Sequence, residues 1–193
     1  MSRVRGRHRV VLLGMKHSGK STLGRRLAGR WGCPFADTDE VLEAWYASRH
    51  GAPVTAREIY ARLGPEGFFD AEAEALRGLA SRIGDGDRVI AAGGRTPLNP
   101  GARALLRGLG LAVLLDVPAE ALWERVARGG IPAFVGPEDP RGDFLALARA
   151  REPQYRQIAD LVVALDPAAS LDENEGRLAA AIEAHERASR PAV

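Results

Sequence analysis

Between an apolar run, Val10-Val11-Leu12-Leu13, and a stretch bearing Leu23, Leu27 and Trp31 four residues apart lies Gly14-Met15-Lys16-His17-Ser18-Gly19-Lys20-Ser21. No other feature limits the fold so strongly. The apolar run has the length of a buried strand, and the stretch after the glycines has the period of an amphipathic helix that stops at Gly32 with Pro34 just beyond. Gly, four residues, then Gly-Lys-Ser, set between a strand and a helix, is the phosphate-binding loop spacing. Its glycines let backbone N–H groups surround phosphate oxygens, and the helix N-terminus adds positive potential. In that setting Lys20 reaches the β and γ phosphates and Ser21 can ligate Mg²⁺. Lys16 and Lys20 are the only lysines among 27 basic residues, so a lysine at the required place argues against a chance glycine turn. The spacing predicts ATP or GTP.

Further along, Phe35-Ala36 reads as a second strand ending at Asp37-Thr38-Asp39, followed by a helix with Val41, Leu42 and Trp45. Helical stretches are expected over 56–63, 65–83, 100–109, 119–127, 144–158 and 171–188, and strands over 88–92, 111–115 and 161–165. Strands that alternate with helices must run parallel, because each crossover needs a helix, and a parallel sheet is covered on both faces. The fold class is therefore an α/β three-layer sandwich. Ligands of such sheets bind beyond the carboxyl ends of the strands, where Gly14, Asp37, Asp39 and Gly93 all fall. Residues 128–143 hold several Gly, Pro and charged residues and read as a lid rather than an element.

Length and composition fit this reading. With 193 residues, 46% hydrophobic and 27% charged, the chain suits one domain, residues 9–188, between a basic tail (1–8) and a frayed end (189–193). The net charge is +2, yet Arg3, Arg5, Arg7 and Arg9 crowd the start, leaving no basic stripe of the kind that binds nucleic acid. No apolar run approaches the roughly 18–20 residues that cross a bilayer, so a cytoplasmic protein without membrane contact is expected. The lone Cys33 allows no internal disulfide and reads as filler, and four scattered histidines offer no zinc site.

Asp37 and Asp39 read in two ways. Asp37 with Glu40 resembles a capping box for the next helix. The same acids face the loop lysine, where one carboxylate can support Mg²⁺ and the other can orient or deprotonate an acceptor hydroxyl. Gly93-Gly94, after another strand, would bring backbone N–H groups close to a polar ligand.

Gly14–Ser21, Asp37-Thr38-Asp39, Gly93-Gly94 and Arg151-Glu152-Pro153-Gln154-Tyr155, followed by Ile158-Ala159-Asp160, line up together with one family: the chain resembles shikimate kinase from about Arg9 to Ala188. The resemblance implies a monomer with a five-stranded parallel sheet of order 2-3-1-4-5. It also implies MgATP on the phosphate loop and transfer of the γ-phosphate to the 3-hydroxyl of shikimate under a closing lid. By position it places Gly14, Lys16, His17, Ser18, Gly19, Lys20, Ser21, Thr22 and Arg125 at the nucleotide, with Arg125 near the adenine. It assigns Ser21 and Asp37 to Mg²⁺, Lys20 and Asp39 to catalysis, and Asp39, Gly93, Gly94 and Arg151 to the acceptor, and it sets Phe69, Glu72 and Arg95 beside the acceptor pocket. His17 itself reads as a tolerated, solvent-facing side chain.

Three positions depart from the family pattern. Phe68-Phe69 stands for Phe-Arg, whose arginine shares the substrate carboxylate; Arg95 stands for a third glycine; and Ile131-Pro132-Ala133-Phe134 stands for Arg-Pro-Leu-Leu of the lid. On one reading Glu72 orients Arg95, which rebuilds the carboxylate clamp from the opposite loop. The alternatives are a kinase of a different small hydroxylated metabolite, or a nucleotide-binding protein without catalysis.

Overall fold

The computed structural model describes residues 8–129 and 135–189. Strand β1 (Arg9–Leu13) runs up the middle of the sheet, and Val10 to Leu13 are fully buried. It leads through the glycine loop into α1 (Lys20–Trp31). Next come β2 (Phe35–Asp37), α2 (Thr38–His50), α3 (Ala56–Arg82) and β3 (Arg88–Ala91). A 3₁₀ turn, Thr96–Leu98, precedes α4 (Pro100–Leu109). Strand β4 (Leu111–Asp116), α5 (Ala119–Arg128), α6 (Pro140–Ile158), β5 (Leu161–Ala164) and α7 (Leu171–Ala188) are the remaining elements among the described residues.

All five strands are parallel, in the order β2-β3-β1-β4-β5. Val11 is the pivot of the register, paired with Ile90 on one side and Ala112 on the other. The three inner strands are continuous apolar runs because helices cover both of their faces; the edge strands β2 and β5 are only partly buried. The main core surrounds β1 and takes in Leu23 and Leu27 of α1, Leu106 of α4, Phe144 and Tyr155 of α6 and Leu178 of α7. A second, smaller core of Leu42, Tyr46, Ile59, Phe68, Ala71 and Ala75 joins α2 to α3, with Tyr60 and Phe69 packed against it.

The structure differs from expectation at three places. The two helical stretches between 56 and 83 run end to end, parted at Gly64, whose φ of 68° is left-handed, with Pro65 opening the second. Thr55 and Glu58 form a reciprocal capping box at the start of α3. Helix α6 begins at Pro140, not 144, because the Asp139 side chain accepts the Gly142 N–H at 2.9 Å and Pro140 fits the first helical position. His8, expected in the tail, is anchored: its N–H donates to Asp87, its imidazole pairs with Glu186 at 2.8 Å, and it stacks on Trp31. Arg3, Arg5 and Arg7 of the tail, Ile131-Pro132-Ala133-Phe134 of the lid, and positions 190–193 lie outside the described residues. Among the described residues, no helix is long and apolar enough to cross a membrane.

Candidate active site

The carboxyl ends of β1, β2 and β3 bring three loops together. After β1, the chain turns at Gly14 and Gly19 with φ of 144° and 95°, values open to glycine, and at His17, whose φ of 66° is left-handed despite its side chain. His17 is exposed, and Arg125 of α5 donates to its carbonyl at 3.0 Å, bracing the strained residue. Burial, then Lys16, Lys20 and Arg125, hold the His17 imidazole below its ordinary pKa. Arg125, expected near the adenine, thus grips the loop backbone. Lys16 and Thr22 are exposed, and Gly14 and Ser18 are buried.

Lys20 is buried and donates to the carbonyls of Gly14 at 2.9 Å and Met15 at 2.8 Å. Burial pushes its pKa down to about 8, against the opposing pull of Asp39 and Asp37. No side chain caps the first turn of α1, and Ser18 Oγ is buried without a hydrogen-bond partner. An uncapped helix start and an orphaned hydroxyl beside a desolvated ammonium fit phosphate oxygens as a ligand.

The second loop holds the acids. Asp37 caps α2 by accepting the Asp39 N–H at 3.0 Å, but the expected capping box does not form, because Glu40 pairs with Arg25 instead. The other oxygen of Asp37 accepts the Ser21 hydroxyl at 2.6 Å. Ser21 and Asp37 are thus a hydroxyl and a carboxylate in contact beside the loop. Such hard oxygen donors suit Mg²⁺, which takes one or two protein ligands and completes its shell with water and phosphate. Asp39 remains solvent-accessible at the edge of the cleft, yet burial and the neighbouring Asp37 raise its pKa, while Lys20 lowers it.

The third loop is fitted around Asp39. A Cβ on Gly93 would overlap Asp39 Oδ1 and come within 3.0 Å of Thr96 Oγ1, so only glycine lets the loop close over the carboxylate. From Gly93 a directional hydrogen-bond chain runs inward. The Gly93 N–H donates to Thr38 Oγ1 at 2.7 Å, the Thr38 hydroxyl meets Thr96 Oγ1 at 3.3 Å, and Thr96 donates to Glu72 at 2.6 Å. The last donor fixes the others: with its proton committed to Glu72, Thr96 accepts from Thr38, which accepts from Gly93. Asn99 donates to the other Glu72 oxygen at 2.9 Å and to the Phe69 carbonyl at 2.7 Å, while its own oxygen caps α4. Burial raises the Glu72 pKa, and the bonds from Thr96 and Asn99 pull it back.

This corrects the expected Glu72–Arg95 pair: both Glu72 oxygens are engaged by neutral donors. The Arg95 guanidinium lies 4.7 Å from the Tyr60 ring centroid and 5.7 Å from that of Phe69. Its Nε is buried without a hydrogen-bond partner. Gly94 gives its carbonyl to the Tyr155 hydroxyl at 2.7 Å, which ties α6 to this loop. Burial raises the Tyr155 pKa, and the charges of Arg151 and Arg95 oppose it, so both guanidiniums bear on the same phenol. Thr38, Thr96, Asn99 and Tyr60 were not legible as site residues; only Asn99-Pro100 carries a signal, as the start of a helix.

A phosphate loop on the central strand of a parallel sheet, facing two acids and a glycine-closed pocket, defines a phosphotransferase of the phosphate-loop, small-molecule kinase class. The family pattern described as shikimate kinase matches residues 16–180. Shikimate kinase of Symbiobacterium thermophilum is 41% identical over 161 residues, covering 81% of this chain and 86% of the relative. That of Cupriavidus pinatubonensis is 38% identical over 158 residues, covering 82% and 78%. Shikimate kinase from Acinetobacter baumannii in complex with shikimate superposes with a TM-score of 0.74 at 28% identity, covering 91% of this chain and 93% of the other. A gluconokinase from Sinorhizobium meliloti, at 21% identity and a TM-score of 0.57 over 95% and 96%, shares the fold. The chain belongs to the shikimate kinase family.

Proposed function

We propose that the protein transfers the γ-phosphoryl group of ATP to the 3-hydroxyl of shikimate. The observation that carries this reading is Asp39, set beside the loop lysine Lys20 and closely fitted by Gly93, with its pKa raised by burial and the neighbouring Asp37. In the reaction the acceptor oxygen gives its proton to Asp39 and bonds to the γ-phosphorus, while the bond from that phosphorus to the β,γ-bridging oxygen breaks and ADP departs. Lys20 leaves its loop carbonyls for the β and γ phosphates, where its charge offsets the negative charge that gathers on the transferred group. Gly19 and the first turn of α1 present backbone N–H groups to the phosphates, with Lys16, His17, Ser18 and Thr22 alongside. Arg125 steadies the loop through the His17 carbonyl.

Ser21 and Asp37 would hold Mg²⁺, which when bound would neutralise phosphate charge. Arg151 meets the acceptor carboxylate, Gly93 and Gly94 line the pocket, and Glu72 keeps the third loop in place through Thr96. The test is ³¹P NMR of the purified protein with MgATP and shikimate, with Lys20→Ala as blank. A new phosphomonoester resonance equal in amount to the ADP formed is expected. No such signal with shikimate, but one with another polyol or sugar acid, overturns the assignment of the acceptor.

A further inference from the structure

The loop after β3 places a cation that, among the described residues, has no hydrogen-bond or ion-pair partner. Arg95 follows Gly94, whose carbonyl is fixed by Tyr155, and precedes Thr96, whose hydroxyl is fixed by Glu72. Its backbone is therefore held on both sides. The guanidinium lies over Tyr60 and close to Phe69, rings rooted in the small core between α2 and α3. Stacking of this kind suits the planar, weakly hydrated guanidinium and leaves its N–H edge free for a ligand. Among the described residues no hydrogen bond or ion pair engages that edge, and Nε is already stripped of solvent. The buried carboxylate of Glu72 is occupied by Thr96 and Asn99. Arg151 of α6 hydrogen-bonds the Tyr155 phenol, and its charge and that of Arg95 bear on that same group.

We propose that Arg95, stacked on Tyr60 and Phe69, is the second arm of an acceptor-carboxylate clamp whose first arm is Arg151. Two fixed guanidiniums select a carboxylate over any neutral group of the same shape, because a planar fork meets two oxygens at once. Phe69 is then a platform for the cation, and Tyr60 and Phe69 are positioning residues. On this assignment the acceptor hydroxyl meets Asp39 and its carboxylate meets the clamp, so the pocket would select for the separation between a carboxylate and a hydroxyl. This inference rests on reading the acceptor as a hydroxylated carboxylate.

The experiment compares kcat/KM for shikimate with that for shikimate carboxamide, in the wild type, Arg95→Gly, Arg95→Lys and Phe69→Leu. Arg95→Gly should raise KM for shikimate roughly 10- to 100-fold, with KM for ATP within twofold, and should shrink the preference for carboxylate over carboxamide at least tenfold. Arg95→Lys keeps the charge without the fork and should recover less than half of that loss on a logarithmic scale. Phe69→Leu should raise KM for shikimate about 3- to 10-fold, and its effect should largely vanish when Arg95 is already glycine, which a merely structural role would not produce. An Arg95→Gly protein that discriminates between the two acceptors as the wild type does overturns the proposal while leaving shikimate phosphorylation standing. A wild type that does not phosphorylate shikimate overturns both.

Discussion

Lys20 offers a direct measurement of what it costs the fold to keep a buried ammonium ready for phosphate. Its pKa falls from 10.5 to about 8 on folding, chiefly through burial. Because the folded value lies below the unfolded one, the unfolded chain binds the extra proton between these two values. Stability from this group therefore rises with pH through that window and is least below about pH 8. The full drop corresponds to about 3 kcal/mol, of which about 2–3 kcal/mol should develop between pH 7 and pH 10. The assay is urea unfolding of the wild type and Lys20→Met at several pH values, taking the difference at each. Groups other than Lys20 are common to both proteins and cancel in the difference. Since Lys16 is the only other lysine, ¹³C NMR of labelled lysine side chains gives a second reading, in which the resonance lost in Lys20→Met should titrate near 8. A stability difference that stays flat from pH 7 to 10, or a Lys20 resonance that titrates above 10, would refute the reasoning.

Two further outcomes follow from the third loop. Thr96→Val should cost about 1–3 kcal/mol in urea unfolding, because it strands one Glu72 oxygen and the Thr38 hydroxyl inside the protein, whereas Thr96→Ser should cost less than about 1 kcal/mol. Gly93→Ala should lower kcat/KM by about 100-fold or more in a steady-state kinase assay, since the new methyl displaces Asp39, while circular dichroism stays that of the wild type.

Most of the fold was legible because its signals are local. The run Val10–Leu13, the glycine loop and the helical spacing of Leu23, Leu27 and Trp31 each report on a few adjacent residues, and the sheet order followed from the family that these motifs resemble. The acids were legible for the same reason. What sequence could not supply was which side chains meet across elements. Glu72 has two oxygens and several candidate donors within reach, and the choice of Thr96 and Asn99 over Arg95 is made by backbone placement around the 3₁₀ turn. Tyr60 gave no sign of its part, because an aromatic at a helical position reads as core, and only its packing beside Phe69 brings the Arg95 guanidinium over it. The start of α6 was misplaced because Pro140 and Gly142 read as loop residues unless Asp139 is seen to cap them.

The hydrogen-bond chain from Gly93 through Thr38 and Thr96 to Glu72 has a polarity that bears on proton traffic. A wire conducts protons only if every member can hand one on and take one back. This one starts at a peptide N–H, which cannot be refilled from Asp39, so it is an insulator, and the buried Glu72 is closed to the acceptor side as a proton store. On the proposed mechanism, a proton captured at Asp39 would leave toward bulk water, on the side where that carboxylate is exposed. Turnover should therefore be tuned by buffer and solvent at the mouth of the cleft, with the interior serving only as a rigid wall.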